Sequence, residues 1–394
     1  MATLEKIHIL KFRNLSDQYF SPDSAINLIL GKNGQGKTNL IESLYYLGHG
    51  RSFKTKNLKD IIPFDDDQIQ ISAIVSGQKI SLNKTREKSQ VLVDGKKIPS
   101  NSFLSQLLPI QIISPDRGFV VGGAPKLKRS YLDWGVYHDN KKTLTTYASY
   151  KKTLKNINTI LTSGVQTHLD EWLTQLANLS VEITKNRIAY TENLCSILKE
   201  NKSMRLASLV ESFFDFKFEL QAGWPKEVDP LNEQHILSYL IDSKKALIKT
   251  KHLNYGPHRA SIDFSLNSQS ENYLSRGEQK KTSIVFWMLQ VLALVENKKK
   301  PVVLVDDISS ELDEIKIKSI IDFLTDVKVQ IFMTDIPEED LEFQTKKVLS
   351  WNMYLEAELN EQDEVSNYWS WGELKPTERT ISQYYKVREG EGSK

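Results

Sequence analysis

INLILGKNGQGKTNLIESLYYL, residues 26 to 47, joins an apolar run to a glycine-rich loop and then to apolar residues at helical spacing. Ile26 to Leu30 reads as a buried strand and the stretch from Lys37 as an amphipathic helix. Between them Gly31, Lys32, Asn33, Gly34, Gln35, Gly36, Lys37 and Thr38 match G-x-x-x-x-G-K-[ST] in full, in the strand, loop and helix context that gives the pattern its meaning. Backbone N–H groups around Asn33 to Lys37 can wrap phosphate oxygens, because glycines allow close approach and a helix N-terminus favours negative charge. Lys37 is then placed to bridge the β- and γ-phosphates of ATP, and the Thr38 hydroxyl to hold Mg2+.

The other half of such a site is an apolar strand ending in a carboxylate, and PVVLVDD, residues 301 to 307, supplies it. Asp306 is placed to hold Mg2+ and Asp307 to polarise an attacking water. Roughly 270 residues separate Lys37 from Asp306, far beyond one compact crossover between parallel strands. The chain therefore reads as one ATPase whose halves are separated by an inserted domain.

Around these halves, residues 4–12 read as a further strand, and QIQISAIV, KISLNK and QVLVDGKKI as an antiparallel sub-sheet with Ser76-Gly77 and Asp94-Gly95 at hairpin positions. LLPIQIIS, ending at Ser114, suits another buried strand. From about 126 the apolar spacing becomes three and four, which predicts helices up to about 205 and one more over EQHILSYLIDSKKALIKTKHL. FFDFKFELQAGW and ASIDFSL read as strands. YLSRGEQKKT, Tyr273 to Thr282, opens a long helix through an S-x-x-E capping box formed by Ser275 and Glu278. The predicted fold is mixed α/β, an ATPase head with an antiparallel sub-sheet, split by an inserted mainly helical domain. Its parts are a lobe with the phosphate loop (1–125), the insertion (126–250), a lobe with the capping-box helix and carboxylate strand (251–350), and a polar tail (351–394).

The chain has 394 residues, 40% of them hydrophobic, enough for more than one packed core. Its 52 Lys and Arg nearly balance 50 Asp and Glu, so any nucleic-acid surface is local rather than global. The local basic clusters are Arg51, Lys54 and Lys56; Lys84, Arg86 and Lys88; and Lys126, Lys128 and Arg129. Charge runs of this kind are ordinarily solvated surface unless a partner claims them. The lone Cys195 forms no disulfide within the chain and reads as a structural thiol. The N-terminus lacks the apolar core of a signal peptide, and no apolar run approaches the ~20 residues that span a bilayer, which predicts a soluble cytoplasmic protein without a membrane partner.

FRNL (12–15), GKNGQGKTNLIESLYYLGHGRSFKT (31–55), LPIQIISPDRGFVVGGAPKLKRSYLDWGVYH (108–138), GPHRASIDF (256–264), LSRGEQKK (274–281) and LVDDISSELD (304–313) resemble, in combination and order, the ABC-type ATPases of the branch that includes the SMC proteins and RecF. They are most similar to the RecF family of bacterial DNA-repair and recombination proteins. The resemblance implies an ABC-type head that binds DNA and dimerises on ATP, the phosphate loop of one subunit facing the signature helix of the other. Ser275 and Gly277 would then contact the γ-phosphate in trans, Gln111 would report on metal and nucleotide, and Asp313 would communicate across the dimer. It also implies slow, DNA-stimulated ATP hydrolysis and partnership with RecR acting with RecO. Asp307 stands where most ABC ATPases carry Glu, as is usual for RecF, and Thr334-Asp335 stands where transporters place a switch histidine. The resemblance assigns His258, Arg259 and the tail no role. The alternatives are an SMC-like structural ATPase, which needs a far longer coiled coil, and a transporter ATPase subunit, which needs the switch histidine and an unsplit motor.

Overall fold

The computed structural model of the chain describes residues 3–30, 34–98, 101–114, 118–164, 167–201, 216–266, 268–307, 312, 314–334 and 347–350. Asp313 and the tail from 351 lie outside them. The chain divides into two units, one drawn from 1–117 and 294–394 and the other from 118–293. Elements are numbered in chain order.

In the first unit, β1 (Leu4–Phe12), β2 (Leu15–Phe20), β4 (Gln68–Val75), β5 (Gln78–Thr85), β6 (Ser89–Val93) and β7 (Lys96–Lys97) form an antiparallel sheet of order β2-β1-β4-β5-β6-β7. Its inner face is the alternating set Ile69, Ile71, Ala73, Val75, Ile80, Leu82 and Val91, all buried. The predicted turns form at Ser76-Gly77 and Asp94-Gly95, each with both central residues at positive φ, the conformation a tight hairpin requires. The strand β2 escapes the sequence reading because one of its inward positions is a glutamine, Gln18.

Beside it, β14 (Lys347–Ser350), β3 (Ile26–Leu30), β13 (Gln330–Thr334), β12 (Val302–Val305) and β8 (Ile110–Ile113) form a wholly parallel sheet in that order. Its described strand residues are almost all buried, the signature of a sheet covered on both faces. Helices α1 (Lys37–His49), α2 (Asn101–Leu107) and α9 (Glu314–Asp326) complete the unit. Gln330 ties the sheets together: its amide accepts from Leu4 N–H at 2.8 Å and donates to Leu4 O at 2.9 Å and Asp23 O at 2.7 Å.

The β1–β2 hairpin tip, the FRN of the sequence, grips α1. Arg13 donates to Glu42 through Nε at 2.5 Å and Nη2 at 2.9 Å, and to Asp60 O through Nη1 at 3.0 Å. Glu42 is fully buried and also accepts from the Ser52 hydroxyl. Its charge and burial together push the neighbouring Tyr46 hydroxyl up to about 12, burial being the larger cause.

The second unit holds α3 (Pro125–Asp139), α4 (Thr143–Ser163), α5 (Leu169–Asn201), α6 (Glu233–Asp242), α7 (Lys244–Thr250) and α8 (Arg276–Glu296), the last of which runs past the unit boundary. A small antiparallel sheet has the order β11-β10-β9, with β9 Phe216–Gln221, β10 Ser261–Leu266 and β11 Gln269–Ser270. The single helix expected over 233–253 is two helices that meet at Ser243, the C-cap of α6 and the N-cap of α7. One core packs Tyr150, Ile157 and Leu161 of α4 against Leu173, Leu176 and Ala177 of α5 and Ile236 and Leu240 of α6. Cys195, on α5, is partly buried, and burial pushes its thiol pKa up, away from the reactive thiolate.

The GPHR stretch is a hub of this unit. Arg187 is almost wholly buried; it pairs with Asp133 at 2.8 Å and donates to Pro257 O at 2.7 Å. His258 meets Leu253 O through Nε2 at 3.1 Å and the Tyr150 hydroxyl through Nδ1 at 2.8 Å. A carbonyl can only accept, so Nε2 carries the proton and Nδ1 accepts from Tyr150. Burial, with the Arg259, Arg129 and Arg187 charges, holds the imidazole pKa below its ordinary value. His258 is therefore a neutral structural residue.

Two outcomes are expected. Arg13→Leu leaves a buried carboxylate without its cation and should cost about 3–5 kcal/mol in chemical denaturation, most of it recovered in Arg13→Leu/Glu42→Leu. Because the folded pKa of His258 lies below the unfolded value of about 6.5, its contribution is complete above that pH and is lost as pH falls towards the folded value. The denaturation midpoint should therefore fall as pH is lowered through about 6.5, and His258→Gln should flatten that part of the profile.

Candidate nucleotide site

Parallel strands all end on one edge, and loops at that edge form the crevice where open α/β sheets bind ligands. Here the edge collects the ends of β3, β12, β13 and β8. β3 and β12 flank β13, so the phosphate loop and the carboxylate strand stand two strand spacings apart, about 10 Å. The wholly parallel order thus brings together sequence positions that the insertion holds far apart.

Of the phosphate loop, Gly31, Lys32 and Asn33 lie outside the described residues. Gly34 and Gly36 adopt left-handed φ of 84° and 96°. A Cβ on Gly36 would stand 2.7 Å from Asn14 Oδ1, so glycine is required there on both counts. Asn14 also accepts from Asn39 Nδ2 at 2.7 Å, which ties the hairpin tip to the first turn of α1. Gly36 caps α1 without a side-chain hydrogen bond, and the first turn carries no acid, so the helix presents its positive end uncompensated. Gln35 and Thr38 are half-buried, and Lys37, the first helical residue, is buried.

Asp306 is buried at the end of β12, its N–H on Ile113 O at 2.9 Å. Asp307, the next residue, takes a left-handed φ of 50° and is exposed. One hydroxyl organises both: Thr334 at the end of β13 donates to Asp306 Oδ1 at 2.9 Å and accepts from Asp307 N–H at 3.1 Å. The sequence reading leaves Thr334 without a role, since only its departure from histidine is visible there. The structure makes it the residue that orients the two aspartates.

Gln111 lies in β8 opposite Val303 of β12 and is fully buried. Neither its amide nitrogen nor its amide oxygen has a hydrogen-bond partner among the described residues, and the same holds for the Ser114 hydroxyl. Buried polar groups are almost always satisfied, each orphan costing roughly 1–3 kcal/mol. An unpaired amide in the strand beside the carboxylate strand fits a site completed by a ligand. The donor set, a hydroxyl at Thr38 and a carboxylate at Asp306, suits the hard, oxygen-seeking Mg2+ ion.

Ser275 and Gly277 belong to the second unit, where the predicted capping box forms. Ser275 N–H donates to Glu278 Oε2 at 2.7 Å, and Glu278 N–H donates to Ser275 Oγ at 3.3 Å. The signature is held from behind. Glu271 accepts from Lys128 and from Gly122 N–H at 2.7 Å, and Gln279 Nε2 donates to Glu271 O at 3.0 Å. Ser283 accepts from Val121 N–H at 2.9 Å and donates to Gln279 O at 2.7 Å.

This network corrects one expectation. Lys128, grouped above with Lys126 and Arg129 as a surface cation, is buried in its pair with Glu271 and also donates to Ile262 O at 2.8 Å. Arg129 is half-buried with Nη1 on Ala260 O at 2.8 Å. Lys84 is half-buried, and its ammonium stands 5.4 Å from the centre of the Tyr46 ring. The exposed cations of the three clusters are Arg51, Lys54, Lys56, Arg86, Lys88 and Lys126. Among the described residues no group of acids, histidines and cysteines has metal-site geometry by itself, and no helix is long and apolar enough to cross a membrane.

Comparison with known proteins shows the family and the fold. The model of the RecF/RecN/SMC N terminal domain family matches residues 3–353. The DNA replication and repair protein RecF of Pseudoalteromonas translucida is 30% identical over 356 residues, 86% of this chain and 93% of the relative. That of Shewanella denitrificans is 30% identical over 346 residues, 85% and 92%. Among solved structures, the recombination mediator protein RecF of the RecFOR pathway, determined with ATPrS, superposes with a TM-score of 0.76 at 26% identity over 89% of this chain and 96% of its own. Its form with ATP gives 0.75 over 89% and 95%. An Smc head domain from Pyrococcus furiosus shares the fold, with a TM-score of 0.50 at 14% identity over 89% and 93%. The mixed α/β, ABC-type head with its antiparallel sheet and inserted helices is the fold expected from the sequence.

The Thr334 hydroxyl provides the direct test of this geometry. Thr334→Val keeps the volume but removes both hydrogen bonds, and should lower stability by about 1–3 kcal/mol in denaturant unfolding. Thr334→Ser should restore most of the loss. Equal stability of the Val and Ser proteins would show that the hydroxyl does not organise the aspartates.

Proposed function

The chain belongs to the RecF/RecN/SMC N-terminal domain family as a homologue of RecF, and on that premise we propose that it is an ATP-switched DNA-binding protein of recombinational repair and replication-fork maintenance. The observation that carries the reading is the carboxyl edge of the parallel sheet. A helix N-terminus with no acid in its first turn, a buried lysine and two aspartates bonded by one threonine share that edge, and an unsatisfied glutamine amide lies in the strand beside the aspartates.

In this reading the N–H groups of residues 33 to 37 and the Lys37 ammonium hold the triphosphate, with Gly31, Lys32 and Asn33 completing the loop. The Thr38 hydroxyl and the Asp306 carboxylate hold Mg2+, which when bound offsets charge on the phosphate oxygens. Asp307 polarises the attacking water, and its reach, shorter than that of glutamate, makes hydrolysis slow. Gln111 reports on the site, since its buried amide gains partners when the site fills. Asp313 communicates across the dimer.

The γ-phosphate is bound in trans by Ser275 and Gly277 of a second copy. Gly277 supports this independently: it lies in the first turn of a helix, is exposed, and has nothing within 4 Å of where a Cβ would be. Glycine there costs about 1 kcal/mol against alanine, and no contact within the chain requires it. A phosphate approaching the backbone would. ATP therefore closes the dimer on DNA through largely sequence-independent phosphate contacts, hydrolysis opens it, and RecR with RecO act downstream.

Sedimentation with ATP or ADP, with and without gapped duplex DNA, tests the cycle. The wild type should dimerise with ATP and not with ADP, Asp307→Asn should stay dimeric, and Ser275→Ala should lose dimerisation while still binding ATP. DNA should stimulate hydrolysis. Monomers in every condition would overturn the trans site.

A further inference from the structure

We propose that Glu278 is a built-in counter-charge at the signature helix, holding the place of the incoming phosphate until ATP on a second copy displaces it; this inference rests on the trans reading above and concerns the regulation of that same site. The capping box fills the positive end of α8 with the chain's own anion. Glu278 Oε2 takes the Ser275 N–H at 2.7 Å, while the Ser275 hydroxyl oxygen receives the Glu278 N–H at 3.3 Å. Gln279 N–H bonds Ser275 O at 2.9 Å, so Ser275 is the last residue before the helix and its N–H points out of it. The two groups assigned to the γ-phosphate, the Ser275 hydroxyl and the Gly277 backbone, thus stand beside a carboxylate whose pKa the Ser275 side chain and N–H hold below its ordinary value.

An anion here offsets the helix dipole and repels a second anion. α1 is the opposite case, with no acid in its first turn and no side-chain cap. One chain therefore carries a helix end ready for phosphate and another that is already occupied. The occupied end can yield only at the carboxylate, because the backbone on its N-terminal side is fixed. Glu271 and Leu274 are buried, Gln279 ties both of their carbonyls, and Lys128 and Gly122 hold the Glu271 carboxylate. The exposed Glu278 side chain has somewhere to go. Lys281, a half-buried cation three residues along the helix, already acts on its charge and can receive it as an i,i+3 pair. The other charged groups at the start of α8 are the exposed Arg276 and the half-buried Lys280, whose ammonium stands 5.6 Å from the Phe119 ring centre. The device makes closure depend on a strongly charged γ-phosphate and lowers the gain from weaker anions.

The test compares Asp307→Asn with Asp307→Asn/Glu278→Gln, full-length chains, by sedimentation across ATP and ADP concentrations, alongside thermal unfolding. Glutamine keeps the capping box, so the helix start is retained. The Glu278→Gln protein should reach half-dimerisation at an ATP concentration lower by roughly threefold to tenfold, with an unchanged or slightly lower melting temperature, and should stay monomeric with ADP. Loss of a merely structural contact would move both readouts the same way. Dimers of the Asp307→Asn protein with an unchanged or higher ATP midpoint for the double variant, or dimers of the double variant with ADP, would overturn this inference alone. Monomers of both proteins at every ATP concentration would overturn the trans reading and this inference with it.

Discussion

The buried carboxylate of Glu42 fixes the helix that carries the phosphate loop. It accepts from two guanidinium nitrogens of Arg13 and from the Ser52 hydroxyl, so its charge is compensated by neighbours from the β1–β2 tip and from the loop after α1. A charge buried this deeply is tolerated only when paired and hydrogen-bonded. The same hairpin tip places Asn14 against Gly36, in the space a side chain there would need. The antiparallel sheet is therefore more than a flank of the parallel one, since its tip packs against Gly36 and the first turn of α1.

The parallel sheet does the converse, converting distance in sequence into proximity in space. Thr334 belongs to a strand that enters the sheet between the two halves of the site, and it is from there that its hydroxyl reaches Asp306 and the Asp307 N–H. Gln330, at the other end of the same strand, uses its side-chain amide to continue the hydrogen-bonding of β1. One strand thus organises the aspartates at its C-terminus and joins the two sheets at its start.

In the helical unit, buried ionic groups hold backbone rather than perform chemistry. Arg187 with Asp133 supports Pro257, and Lys128 with Glu271 supports Gly122 and the approach to the signature. Each replaces water around a charge by a counter-charge and carbonyls, a geometry that tolerates little displacement. Near the second of these stands Glu278, an exposed carboxylate hydrogen-bonded across the start of α8.

The sequence by itself determined the elements whose causes are local. A phosphate loop is legible because glycine, lysine and threonine must stand at fixed offsets around one turn, a hairpin because Ser-Gly and Asp-Gly accept positive φ, and the capping box because Ser275 and Glu278 are three residues apart. The insertion was legible from the spacing of the two half-sites. Only the tertiary structure decided what depends on partners far along the chain. Lys128 reads as surface charge beside Lys126 until Glu271 buries it; GPHR reads as a motif without chemistry until Arg187 and Tyr150 surround it; Thr334 reads as a missing histidine until β13 sets it beside Asp306. The physical reason is common to all three: burial and pairing are properties of what packs against a residue, and a side chain's type specifies what it can bond but not which bond the fold will bring to it.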